Sequence, residues 1–177
     1  MTNTFTGIRS FMKTSIGQAG DKPISIAGVG YDLGTSNRPG ARLGPAGVRD
    51  ASAMLCDGYN PYTEMSYNDI IKNVCDIGDF DIDKVVPLAM LETQIAKVVN
   101  KSRLISIGGD HTVTYPLLKA HYEKYGKMAL IHYDAHIDAW GEGKTPNHGN
   151  FLRLAIEDGL VDPEHIIQIG IRSSSPK

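Results

Sequence analysis

Cysteine is scarce in this chain. Its 177 residues hold two, Cys56 and Cys75, in no Cys-x-x-Cys arrangement. A lone pair does not make a disulfide framework, so free thiols in a reducing cytoplasm are expected. Long apolar runs are missing as well. No stretch approaches the roughly 20 residues of a membrane-spanning helix, and the amino terminus has no signal-peptide apolar region. Basic runs are missing too, and the formal net charge is −2, which argues against nucleic acid as a partner. Internal repeats and low-complexity tracts are not seen.

What is present is enough for one domain with a sizeable core. Ile24–Ala27 predicts a first strand. Gly28-Val29-Gly30 after it invites a dinucleotide-binding reading, but the next glycine is Gly34 and no helix opens there. Asn37-Arg38-Pro39-Gly40 and Gly44-Pro45 are loop chemistry instead. Pro45 suits the first turn of a helix reaching about Leu55. Residues 57–68 carry Tyr59, Tyr62 and Tyr67 in a polar excursion, either the rim of a site, a subunit contact or an ordinary surface loop. Val74–Ile77 predicts a strand. Asp79, Asp81 and Asp83 mimic a calcium loop but lack its glycine and terminal glutamate, which predicts a solvated turn. Between Pro87 and Asn100, Leu88, Leu91, Ile95, Val98 and Val99 form one helical stripe. Phe151–Glu157 predicts a helix and Ile166–Ile171 a last strand.

The informative stretch runs from Arg103 to Trp140. Two apolar runs, Leu104–Ile107 and Met128–His132, flank a helical segment, the strand–helix–strand unit of a parallel sheet. Each run leads at once into acidic residues and histidine: Gly108-Gly109-Asp110-His111, and Asp134-Ala135-His136-Ile137-Asp138. If the two strands are parallel neighbours, both clusters emerge at one carboxyl edge, where open α/β folds place their sites. On extended chain Asp134, His136 and Asp138 point to one side, and His111 adds a second imidazole. Nitrogen and carboxylate donors without thiolate suit Mn²⁺, Zn²⁺, Fe²⁺ or Ni²⁺. The excess of carboxylate suits a binuclear centre, which lowers the pKa of a bound water. Asp-x-His-x-Asp alone also fits a solvated or capping loop. The glycine pair allows a tight turn before a helix near His111, which Asp110 either caps or supports from behind the ligands. His132 is read as structural or as a support behind the ligands, and His121 and His165 as surface residues.

Gly108-Gly109-Asp110-His111-Thr112 and Asp134–Asp138 resemble the first two signature motifs of the ureohydrolase family, which includes arginases and agmatinases. The resemblance covers nearly the whole chain. Residues 5–13 look like the amino-terminal segment of agmatinase-type members, which is preferred to a transit-peptide reading of Arg9 and Lys13. Gly28–Arg49 looks like their glycine-rich first loop, and Ile167–Arg172 like the strand after the second motif. The resemblance implies a three-layer α/β fold with a largely parallel β-sheet flanked by helices, arginase-like. It implies two Mn²⁺ per complete site, with Ni²⁺ or another divalent ion as alternatives. His111, Asp134, His136 and Asp138 would be metal ligands and His148 the catalytic histidine that passes a proton to the leaving amine. Trp140, Asn147 and Asn150 would line the substrate pocket. Where arginases carry an asparagine that holds the amino-acid head group, this chain has Trp140, which points to a guanidino compound without that head group.

The implied function is hydrolysis of agmatine to putrescine and urea in the cytoplasm, by a homo-oligomer when full length. Guanidinobutyrate, guanidinopropionate and proclavaminate are the alternatives within the family, and a non-catalytic fragment or assembly subunit is the alternative outside it. The third family motif, Ser-x-Asp-x-Asp, has no counterpart here, so residues 1–177 are expected to be a single, carboxyl-terminally incomplete ureohydrolase domain. Such a chain should bind at most one metal tightly, release little urea and leave apolar surface or a strand edge uncovered at Ile166–Ile171.

Overall fold

The computed structural model describes residues 6–55, 58–82 and 88–174. Phe5, Cys56, Asp57, Asp83 and Pro87, on which parts of the sequence reading fall, lie outside the described residues. The strands of the larger sheet are β1 (Ser15–Ile16), β2 (Ile24–Val29), β5 (Val74–Asp79) and β6 (Arg103–Gly108). They run parallel in the order β1-β5-β2-β6. A separate parallel pair joins β7 (Met128–Tyr133) to β8 (Val161–Ile169). A short antiparallel hairpin of β3 (Tyr59–Asn60) and β4 (Met65–Ser66) forms most of the aromatic excursion.

Helices cover the sheets by simple periodicity. In β2, Val29 faces one side and packs with Leu91, Ile95 and Val99 of α3 (Leu88–Val99) and Ala120 of α4 (Thr114–Tyr125). Its neighbour Gly28 faces the other side, where a Cβ would collide with Pro45 of α1 (Gly44–Ser52). Helix α4 serves two cores. Ala120 joins the first, while Leu118 packs with Phe151, Leu152 and Ala155 of α5 (Phe151–Glu157) and with Leu160 and Val161. The remaining helix, α2 (Tyr67–Ile71), opens with a capping box of Ser66 and Asp69.

Two expectations are corrected. The strands β6 and β7 are not parallel neighbours: β6 pairs with β2, and β7 with β8. Their edges are held near one another by α4, packed on both sheets, and not by a shared ladder. The far face of the β7–β8 pair is open, with Ile131, Tyr133, Ile167 and Ile169 exposed. Asp79 is half exposed, as a solvated residue should be, but it belongs to a strand and not to a turn. It ends β5 and, with buried Asp76, receives the guanidinium of buried Arg49 from α1.

Arg49 Nε and Nη2 meet the two Asp76 oxygens at 2.8 and 2.9 Å, and Asp76 also accepts the Phe11 N–H at 2.7 Å. Burial works to raise the Asp76 carboxyl, but Arg49 and these N–H groups hold it below the ordinary range. Arg49→Met should therefore cost about 3–5 kcal/mol at neutral pH, since a buried carboxylate loses its partner. A depressed Asp76 stabilises the fold above its unfolded pKa of roughly 3.9 and loses that contribution as pH falls through the folded value. Urea melts of the two proteins should accordingly converge at acid pH.

Candidate metal centre

The chain leaves β6 through Gly108-Gly109. Neither needs a left-handed backbone; a Cβ on Gly109 would instead strike the carbonyl oxygens of Val29 and Tyr31. That close approach lets Gly109 and Asp110 donate backbone N–H groups to Val29 and Tyr31 at 3.1 and 2.7 Å. Asp110 then caps the 3₁₀ turn His111–Val113, accepting from Thr112 N–H at 2.7 Å. Its other oxygen accepts from Gly34 N–H at 2.9 Å, which ties down the glycine-rich loop. His111 is thus aimed by a cap on one side and Phe151 on the other, their ring centroids 4.4 Å apart.

Residues 134–138 are not extended, so Asp134, His136 and Asp138 do not share one side of a strand. β7 stops at Tyr133, and Asp138 sits at φ 50° in the left-handed region, which Asp tolerates better than most residues. The segment is held at both ends: Asp134 N–H donates to Ile169 O at 3.1 Å, and Asp138 O accepts from Leu152 N–H at 3.1 Å. The bend turns Asp134 and Asp138 toward the same point.

There they meet His111. Its Nδ1 lies 2.8 Å from Asp138 Oδ2 and 3.1 Å from Asp134 Oδ2. His132 Nε2 stands 3.6 and 3.7 Å from the same two oxygens. Each of the four residues offers an atom within 4.8 Å of all the others. Asp138 Oδ2 and His132 Nε2 are buried and have no hydrogen-bond partner, so the 2.8 Å approach lacks hydrogen-bond geometry. A buried carboxylate oxygen left unpaired is costly, and a nitrogen and two oxygens converging without a hydrogen between them is what a divalent cation requires. The donor set fits a manganese-type ion. Burial works to raise the Asp134 carboxyl, but the His136 N–H and facing His111 hold it below the ordinary range. Burial, together with His111, lowers His132.

The other residues singled out in the sequence are placed differently. His136 lies outside the group of four: its side chain is 59% exposed, with Nδ1 3.3 Å from Asp134 Oδ1, the opposite oxygen. Its ring sits edge-on to Trp140, centroids 5.6 Å apart. Trp140 N–H donates to Gly149 O at 2.9 Å. Asn147 Oδ1 accepts from Gly149 N–H, and Asn150 uses Oδ1 and Nδ2 on Asn147 N–H and Thr145 O. These amide groups shape the loop itself. His148 Nε2 accepts from Ser36 N–H at 3.2 Å and lies 3.0 Å from Ser36 Oγ. His165 pairs with Asp162, and His121 caps no site residue but contacts Leu117 O. Sequence reading gave no role to Ser36 or Gln168, whose contacts depend on distant chain.

Comparison with known proteins gives the family. The arginase family model matches residues 22–177, and the chain belongs to that family. It is 36% identical to an agmatinase of Chromobacterium violaceum, over 97% of this chain and 55% of that protein. A solved structure of a hypothetical agmatinase from Burkholderia thailandensis superposes with a TM-score of 0.90 at 37% identity, covering 98% of this chain and 57% of that one. Proclavaminate amidino hydrolase from Streptomyces clavuligerus superposes at 0.87 with 30% identity, covering 99% and 60%. The chain spans about half the length of the curated relatives it matches.

If the unpaired Asp138 oxygen exists to bind a cation, removing its charge should leave the metal-free fold intact. Asp138→Asn is expected to melt no lower than the unaltered chain without metal. It should lose the rise in melting temperature that Mn²⁺ gives by binding the folded state. Thermal melts with and without Mn²⁺ check both halves.

Proposed function

We propose that this chain carries the metal-binding half of a hydrolase acting on a linear guanidino compound, with agmatine as the substrate. The supporting observation is the closure of His111 Nδ1 on Asp134 and Asp138 with a buried oxygen unsatisfied. His111, Asp138 and Asp134 Oδ2 would hold one cation. Asp134 Oδ1 and His136 lie on the other side of the same carboxylate and would serve a second. A bound divalent ion, manganese by this proposal, would lower the pKa of a water at the site so that hydroxide is available to the guanidinium carbon at neutral pH.

The chain's own residues do the rest. Asp134 and Asp138 would offset part of the charge of the bound cations. His148 has Nε2 occupied as an acceptor by Ser36 N–H, so its ring hydrogen is on Nδ1. To pass a proton to the leaving amine the ring would carry hydrogens on both nitrogens, Nε2 turning its hydrogen to Ser36 Oγ at 3.0 Å. Nδ1 would then give up its hydrogen, leaving a neutral ring with urea and the diamine as products. Trp140 stands where arginases hold the amino-acid head group, and its indole offers an apolar and π surface to an unbranched tail. Guanidino acids are the nearest alternative, given the likeness to proclavaminate amidino hydrolase. Location in the cytoplasm and homo-oligomer formation by the longer protein belong to the same proposal.

Urea release with Mn²⁺ should be assayed on agmatine, 4-guanidinobutyrate and arginine. The chain would be tested alone and joined to the carboxyl-terminal part of the Chromobacterium violaceum agmatinase. Alone it should release little; joined, it should prefer agmatine to arginine, and His148→Asn should lower the rate by about 10²–10⁴-fold. Preference for arginine would overturn the substrate assignment.

A further inference from the structure

Gln168 and His132 are register partners on the adjacent strands β8 and β7, and their side chains meet beside the carboxylates. The Gln168 Nε2 lies 2.9 Å from Ile137 O and 2.9 Å from His132 Nδ1. Ile137 O can only accept, so the amide nitrogen, not the amide oxygen, faces both partners. One of its two hydrogens goes to the carbonyl and the other to Nδ1. Nδ1 must then accept, and the ring hydrogen sits on Nε2. A hydrogen on Nδ1 would point at the amide hydrogen.

We propose that Gln168 and His132 form a support for the metal-binding carboxylates. Gln168 holds the His132 hydrogen on Nε2, and His132 offers that N–H to Asp134 and Asp138 instead of serving as a metal ligand. The unpartnered Nε2 belongs to a side chain that is 5% exposed, and it faces the Oδ2 atoms of both aspartates just beyond ordinary hydrogen-bond reach. Phe151 holds the ring edge-on, its plane at 82° and its centroid 5.6 Å away. A donor in this place engages one lone pair of an Oδ2 atom and orients the other toward the cation, the role outer partners play around metal sites. Both residues are therefore positioning residues. Of the four residues that could hold an ion, His132 is the one removed from the ligand set. This inference rests on the metal-centre reading above.

Two measurements test it. In ¹⁵N-labelled, metal-free chain, long-range ¹H–¹⁵N correlation reads which His132 nitrogen carries the hydrogen. Hydrogen on Nε2 is expected, and hydrogen on Nδ1 would overturn the proposal. Calorimetric titration with Mn²⁺ then compares the unaltered chain with Gln168→Glu and Gln168→Met, each checked for folding by circular dichroism. The glutamate accepts from the ring, draws the hydrogen to Nδ1 and turns a bare nitrogen toward the carboxylates. Mn²⁺ affinity should fall about 10–100-fold, with a smaller loss in Gln168→Met. If His132 were a ligand, freeing that lone pair would tighten binding, so equal or stronger binding by Gln168→Glu overturns the proposal. No Mn²⁺ binding by the unaltered chain would overturn the metal-centre reading, and with it the support role. The NMR reading of the hydrogen stands apart from that result.

Discussion

His111 reaches Asp134 and Asp138 between two strands that are not paired with each other among the described residues. No ladder there joins β6 to β7, the strands that lead to these residues, so the 2.8 and 3.1 Å approaches depend on local hydrogen bonds and on the packing between the two sheets. Helix α4 supplies it, with Ala120 in one core and Leu118 in the other. Phe151, fully buried, lies against both His111 and His132. A shift of either sheet relative to α4 would open the site before it disturbed any strand ladder.

Holding charge in such a place is unfavourable for the fold by itself. Asp138 takes a left-handed backbone and keeps a buried oxygen without a hydrogen bond, each costing on the order of 1 kcal/mol or more. Buried Asp76, by contrast, is satisfied at both oxygens: it accepts from Arg49, Phe11 and Gly78. The contrast within one molecule separates a structural carboxylate from one kept open for a ligand.

Much of this was legible in the sequence because it is local. The apolar stripe of α3, the cap at Asp110, the helix Phe151–Glu157 and the strands ending in Asp-His clusters all follow from short-range pattern and spacing. The family motifs named the fold, and the comparisons bear that out. What was not legible depends on distant chain. Nothing near Arg49 announces Asp76, and nothing near Gln168 announces His132. The separation of β6 from β7 depends on which edges pair, which periodicity does not encode. The bend at Asp138 is not legible because an alternating Asp-x-His-x-Asp motif fits extended chain equally well.

The central claim is that His111, Asp134 and Asp138 share a cation. The most direct measurement is anomalous X-ray scattering at the manganese edge from crystals of the chain grown with Mn²⁺. The account predicts a peak roughly 2 Å from His111 Nδ1 and from an oxygen of both Asp134 and Asp138. A peak elsewhere, or none within reach of these three residues at saturating Mn²⁺, would contradict it.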